Sequence, residues 1–318
     1  MPADTGTSLE KLLDDGWTYH DRESERLARE LEAVADPDIA PDLLAPFVHL
    51  SNHTIGGHLG DWPRALALDR RVIEGKTPLA ESARAWGRLS VAAMLAGDGL
   101  QAAELELAYL GAASDDLAAA LLEARFMLAD ALVASNRAGE AACLYRGAIG
   151  LAERITEAEQ SSAQLLRSIA ATSNNLGWEL LEMPVRNADE DDLMQLAADM
   201  SLKFWRRCGN WIDEERALYL TARAANVAGK PELGLALADE ALAVIAANGA
   251  RPLDAAMLQL ARATSLAALG DNDRARRPVV EADAAAAKLP TAELMAQFVA
   301  ERAGTIAAAI SEAPAVEG

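Results

Sequence analysis

One predicted helix carries four side chains that could bind an anionic ligand. They follow one another at intervals of three, four and three residues and are Arg216, Tyr219, Arg223 and Asn226. This spacing places them on one face of a helix. A guanidinium group binds a carboxylate through paired hydrogen bonds, and the phenol and carboxamide groups add polar contacts. The pattern therefore predicts a binding face for a carboxylate-bearing peptide or a small anion. A solvated face, with its arginines paired to the acidic residues at 213–215, is the alternative.

The four histidines all lie within the first 58 residues. His49 and His53 are four residues apart, so one helix face carries both, and two such imidazoles can bind a metal ion. At about 100° per residue, His58 is turned about 140° away from His53. No third ligand is then apparent. The pattern predicts polar surface or groove histidines and no metal site.

The sequence contains none of the short motifs that usually identify catalytic or cofactor sites. It has no phosphate-binding glycine loop, no dinucleotide fingerprint, no His-Glu-x-x-His and no Gly-x-Ser-x-Gly. We therefore predict no catalytic residues and no cofactor. An enzyme on a helical scaffold stays an alternative, and its best acid–base groups would be His49, His53 and Glu179.

The charge and hydropathy patterns limit the classes of partner. The net charge is −20, from 49 acidic and 29 basic residues, and a nucleic acid would be repelled by such a protein. No run of 18 apolar residues occurs, and the start lacks the apolar stretch of a secretory signal. Cys143 and Cys208 belong to no Cys-x-x-Cys pair. We expect a cytoplasmic protein that binds neither membranes nor nucleic acid.

The elements that position these groups follow a repeating pattern. A small turn residue recurs, followed a few residues later by a small residue, usually alanine. Gly60, Gly97 and Asn136 are separated by 37 and 39 residues, and Gly229 and Gly270 by 41. Together with two amphipathic helices per unit, this period is typical of an α-solenoid. Alanine and leucine dominate and aromatics make up only 4%, which favours helix over strand.

The hydrophobic pattern predicts six helix pairs between two flanking regions. The pairs are 42–58 with 62–74, 78–96 with 99–111, 115–135 with 137–157, 160–183 with a helix ending near 207, 211–228 with 231–248, and 253–269 with 272–288. We predict four parts: a helical extension at 1–41, a repeat array at 42–290, a capping helix at 291–310 and a disordered tail at 311–318.

Several units resemble tetratricopeptide repeats. The family's tryptophan, leucine, turn glycine and alanine positions are occupied by Trp86, Leu89, Gly97 and Ala102. The next unit fits at five further positions, Leu128, Ala129, Ala141, Tyr145 and Ala148, and Leu176-Gly177 matches the family's Leu-Gly step. The resemblance covers about 42–288. It implies an all-α, right-handed superhelix of about six repeats, with the first helix of each pair lining a concave groove.

The resemblance also implies a function and a set of groove residues. On the equivalent helical stripes, Arg84, Asn174 and Trp178 join Arg216, Tyr219, Arg223 and Asn226. It implies a non-enzymatic adaptor or scaffold that binds a peptide or partner segment in its groove. A regulator that senses a ligand or peptide and acts through a partner is the alternative.

The C-terminal helix has an apolar stripe, formed by Met295, Val299, Ile306 and Ile310. This helix either caps the array or forms a homodimer.

Overall fold

The computed structural model describes residues 5–113, 117–158 and 163–309. Over these residues it contains fifteen α-helices, one π-helical segment and no strand. The all-α prediction is therefore confirmed for the described part of the chain. The chain divides into two compact units, one up to residue 159 and one from residue 160. Among the described helices, none combines the length and apolar composition that crossing a bilayer requires.

The first unit is built around a short π-helical segment. Its elements are α1 (Thr5–Gly16), α2 (Ser24–Val34), α3 (Pro41–Ser51), the π-helical segment (Asn52–His58), α4 (Trp62–Ile73), α5 (Ala83–Leu95), α6 (Gly99–Ala113), α7 (Leu117–Ala134) and α8 (Ala138–Ala158). The π-helical segment packs against α2, α3, α4, α5 and α7. Phe47, Leu89 and Tyr109 are fully buried in this unit and form part of its core.

The described part of the second unit, residues 163–309, contains seven helices, each packed against the next. They are α9 (Ala163–Glu182), α10 (Ala188–Cys208), α11 (Trp211–Val227), α12 (Pro231–Asn248), α13 (Pro252–Ala268), α14 (Asn272–Ala286) and α15 (Ala292–Ala309). In addition, α9 contacts α11, α11 contacts α13, and α13 contacts α15. These odd-numbered helices therefore form one continuous layer, and the candidate site lies on it.

The recurring turn residues have the backbone conformation that the repeat pattern requires. Five predicted helix ends have positive φ angles, namely Gly60 (68°), Gly97 (86°), Asn136 (57°), Gly229 (67°) and Gly270 (80°). Glycine and asparagine adopt this left-handed conformation most readily, so they end helices well. The aspartate after the glycine begins the next helix. Asp61 accepts a hydrogen bond from the backbone N–H of Arg64 at 3.1 Å, which caps α4.

The last helix packs against the pair that precedes it. Phe298 of α15 is only 3% exposed and joins a buried cluster with residues of α13 and α14. Arg302 forms an ion pair with Asp283 of α14, with an N–O distance of 2.6 Å. The side chain of Ile306, together with Ile310 and the predicted tail at 311–318, lies outside the described part of the chain. Homodimerisation through this helix stays a prediction.

Candidate functional site

A cavity of about 670 Å³ lies on the layer formed by α9, α11, α13 and α15. Five of the seven predicted groove residues line it: Asn174, Trp178, Arg216, Tyr219 and Arg223. Leu253 and Met257 of α13 add an apolar wall. The stripe predicted on α11 therefore meets the stripe predicted on α9 at one cavity.

Arg84 and Asn226 occupy other positions. Arg84 lies on α5 in the first unit, where its guanidinium group forms an ion pair with Glu123 at 2.6 Å. The Asn226 amide donates a hydrogen bond to the backbone carbonyl of Ala261 at 3.0 Å and accepts one from Ser265 Oγ at 2.7 Å. Asn226 therefore links α11 to α13 and does not line the cavity.

Tyr219 and Arg223 are held by neighbouring side chains. The rings of Trp178 and Tyr219 have centroids 5.5 Å apart and form an aromatic wall. Arg223 donates a hydrogen bond to the Tyr219 hydroxyl at 2.9 Å and forms an ion pair with Glu301 of α15 at 2.8 Å. The guanidinium group thus fixes the aromatic wall and the position of α15, and its charge is already compensated.

Arg216 is the arginine of this stripe that stays accessible to a ligand. Its side chain is 59% exposed, and its Nε lies 4.0 Å from Oε1 of Glu215. An ion pair at this distance and exposure is weak. Glu182, on the α9 side of the cavity, is also exposed. The accessible charges of the cavity are therefore one guanidinium group and one carboxylate.

Glu215 is a buried carboxyl group in the cavity wall. Its side chain is fully buried, and no described group donates a hydrogen bond to either of its oxygens. Burial, followed by the repulsion of the neighbouring Asp254 carboxylate, raises the pKa of Glu215. Asp254 itself accepts a hydrogen bond from Arg251 at 2.5 Å. Burial and this repulsion therefore favour the protonated form of Glu215, in which the carboxyl group adds no negative charge to the cavity.

The raised pKa of Glu215 predicts a loss of stability as the pH rises. The folded protein holds this proton more tightly than the unfolded chain does, so the stabilisation is complete below the ordinary pKa of 4.5. It is lost as the pH rises from there through the raised folded-state pKa. The side chain of Glu215→Gln stays neutral at every pH. In this variant, we therefore expect the unfolding free energy to fall less than in the wild type as the pH rises through this range.

Chemical denaturation at several pH values measures this effect. Buried Asp69 of the first unit also has a raised pKa, because burial disfavours its charged form. The difference between variants is therefore the informative quantity. Glu182→Gln removes an exposed carboxylate of the same cavity and serves as the matched control. An equal pH dependence in the wild type and in Glu215→Gln would contradict the assignment.

Three histidines of the first unit meet at one place. His20, in the connection between α1 and α2, joins His53 and His58 of the π-helical segment. The ring centroids of His53 and His58 are 4.8 Å apart, and those of His20 and His53 are 4.9 Å apart. The prediction that His58 faces away from His53 is wrong, because it assumed α-helical geometry. In a π-helix the hydrogen bonds join residues five apart, which brings positions 53 and 58 to the same side.

The surroundings of His49, His53 and His58 lower the pKa values of their imidazoles. Trp17 packs on His20, His49 and His53, with centroid distances of 4.9 to 5.3 Å. Burial lowers the pKa of His53 to about 4 and that of His49 to about 3. The pKa of His58 is also lowered, first by burial and then by the charge of His20. His49 and His53 both line a cavity of about 40 Å³, but His49 is not part of the triad.

Comparison with models of known protein families and with curated proteins finds no match for this chain. The resemblance to tetratricopeptide repeats therefore stays a hypothesis. The cavity and the histidine cluster have to be interpreted from their own chemistry.

Proposed function

We propose that this protein is a non-enzymatic interaction module whose second unit binds a peptide segment of a partner protein. The observation that carries the proposal is that five of the predicted groove residues, three expected from helix periodicity and two from the tetratricopeptide resemblance, line one cavity of about 670 Å³. Ligand pockets typically measure about 300 to 1,000 Å³ and combine apolar walls with a few polar groups. The cavity on the odd-numbered helices has both properties.

The chemistry of the wall favours a segment with a carboxylate next to an apolar side chain. Exposed Arg216 offers the guanidinium group for the carboxylate, while Trp178, Tyr219 and Met257 offer an apolar surface. Asn174 can hydrogen-bond the peptide backbone. Exposed Glu182 favours a ligand that also presents a donor or a positive charge at the other end, as a short peptide does. Arg223 acts on the ligand indirectly, by holding Tyr219 and α15.

The finer architecture that we propose is an α-solenoid of tetratricopeptide-like repeats. Successive helix packing, left-handed turn residues and buried alanines support this interpretation; Ala65, Ala102, Ala141 and Ala275 are all 0 to 2% exposed. Small residues at these places let helices approach closely, as stacked repeats need. Cys143 and Cys208 are free thiols, which agrees with a cytoplasmic location, where thiols stay reduced.

Arg216→Glu is expected to weaken peptide binding by at least about tenfold, because it replaces an attraction for the ligand carboxylate by a repulsion. Tenfold corresponds to about 1.4 kcal/mol. Peptides would first be selected on the wild-type protein from a random displayed library, and their affinities then measured by calorimetry. Each selected peptide would be compared with a form whose carboxylate is amidated.

Arg276→Glu is the matched control for this experiment. Arg276 is 70% exposed on α14, it does not line the cavity, and its replacement makes the same change in charge. The proposal expects this variant to bind like the wild type. Equal affinities for Arg216→Glu and Arg276→Glu, or no effect of amidating the peptide, would contradict it.

A further inference from the structure

We propose that His20, His53 and His58 form a binding site for a borderline transition-metal ion, with Zn²⁺ as the physiological type. Each histidine offers one ring nitrogen, and these three nitrogens lie within 4.8 Å of one another. Tetrahedral zinc with Zn–N bonds of about 2.0 to 2.1 Å requires ligand atoms roughly 3.4 Å apart. Closing the triad around an ion therefore needs movements of about 1 Å, within the reach of side-chain rotation.

The backbone presents the ligands from two directions. His53 and His58 come from one π-helical segment, and the hydrogen bond from Leu59 N–H to the Thr54 carbonyl at 3.1 Å is of the five-residue type. His20 comes from the α1–α2 connection and faces both, with its ring centroid 5.1 Å from that of His58. A bound ion would thus link this connection to the centre of the first unit. Single-turn π-helices are frequently found at functional sites.

His20 has the tautomer that metal binding requires. Its Nδ1 lies 2.8 Å from the backbone carbonyl oxygen of Trp17. A carbonyl oxygen can only accept, so Nδ1 must donate its proton, and Nε2 of the neutral ring is left with the lone pair. Metal-binding histidines usually donate their other ring N–H to a carbonyl or carboxylate in this way. The second-shell contact therefore already exists.

The ligand set determines the class of metal. Three imidazoles without thiolate favour Zn²⁺, Ni²⁺ or Cu²⁺, whereas Mg²⁺ and Ca²⁺ prefer oxygen ligands. His58 is exposed, so the cluster is open to solvent and a water molecule could supply a fourth ligand. The proposal concerns the first unit and is independent of peptide binding by the second.

Calorimetric titration of the tag-free full chain with ZnCl₂ tests the site. We expect one Zn²⁺ per chain, and at least tenfold weaker binding in His58→Ala, whose exposed side chain can be removed without unfolding the protein. His49→Ala is the matched control, because His49 also touches Trp17 but lies outside the triad. Co²⁺ substitution should give the intense visible absorption of a four-coordinate ion.

Trp17 offers a second, local measurement. Its ring packs on two of the three ligands, so Cu²⁺ binding should quench fluorescence in the wild type and much less in Trp17→Phe. Wild-type zinc affinity in His58→Ala, or an equal loss in His49→Ala, would overturn the triad. A stoichiometry well below one Zn²⁺ per chain would overturn the site altogether.

Discussion

Gly56→Ala is expected to destabilise the first unit by about 2 to 3 kcal/mol, although alanine is the better helix former. A Cβ atom at this position would lie 2.5 Å from ring atoms of Trp62, well inside van der Waals contact. The ring cannot easily retreat, because Trp62 is only 7% exposed and its Nε1 donates a hydrogen bond to Ser135 Oγ at 2.9 Å. Overpacking of this kind costs about 1 to 3 kcal/mol.

Gly57→Ala provides the matched control in the same segment. A Cβ atom there would make an ordinary contact of 3.5 Å with Ala134. We expect this change to be neutral or stabilising by up to about 1 kcal/mol, since it removes backbone freedom from the unfolded chain. Denaturant unfolding followed by circular dichroism measures both variants. Equal stabilities of Gly56→Ala and Gly57→Ala would contradict the close packing of Gly56 against Trp62.

Arg223→Glu is expected to lower the stability of the second unit by about 2 kcal/mol and to abolish peptide binding. The change replaces the 2.8 Å ion pair with Glu301 by two facing carboxylates, and it removes the donor to the Tyr219 hydroxyl. Arg223 and Glu301 are 27% and 29% exposed, so the effect lies between that of a buried pair and that of a surface pair. Since α15 forms one wall of the cavity, its displacement would also disturb the site.

The charge-swapped double variant Arg223→Glu/Glu301→Arg separates the two effects. It restores an ion pair with the two charges exchanged. We therefore expect most of the lost stability to be recovered, as measured by thermal melting. Peptide binding should recover less, because the hydrogen bond to Tyr219 is not rebuilt. If Arg223→Glu melts like the wild type, the ion pair does not hold α15. Full recovery of stability and binding in the double variant would show that Tyr219 needs no such support.

The helices and their ends could be predicted from local signals. Pro231 and Gly249 mark the two ends of α12, and the predicted range of 231–248 agrees with the observed Pro231–Asn248. Glycine at the end of one helix and aspartate at the start of the next allow the unpaired backbone groups of the helix ends to form hydrogen bonds with residues close in sequence. Such signals need no knowledge of distant parts of the chain, and they gave most of the observed boundaries.

The histidine triad could not be predicted, because its geometry depends on distant contacts. The range 42–58 was expected to be one α-helix, but it changes to π-helical hydrogen bonding at Asn52. There, the Asn52 amide donates to the carbonyl of Arg88 at 3.0 Å, and Gly56 accommodates Trp62. Arg88 lies 36 residues from Asn52 in the sequence, and Trp62 belongs to the next helix. The pair of glycines at 56 and 57, poor helix formers beside two histidines, was the available signal.

The groove residues show the same division between local and tertiary information. Periodicity alone placed four polar residues on one face of α11. Their individual roles depend on partners from other helices: Glu301 engages Arg223, and Ser265 engages Asn226, while Arg216 stays exposed. A helical stripe therefore locates a surface, and the neighbours of each side chain decide which of its members can contact a ligand.

The most direct test of peptide binding by the second unit is methyl NMR of the full chain labelled at its methionine methyl groups. Met257 lines the cavity, whereas Met194 is fully buried elsewhere in the same unit, and Met257→Leu assigns the signal. On adding a selected peptide, we expect a saturable shift of the Met257 resonance that Arg216→Glu weakens and Arg276→Glu preserves. An unchanged Met257 resonance at saturating peptide, with shifts of methionines in the first unit instead, would contradict it.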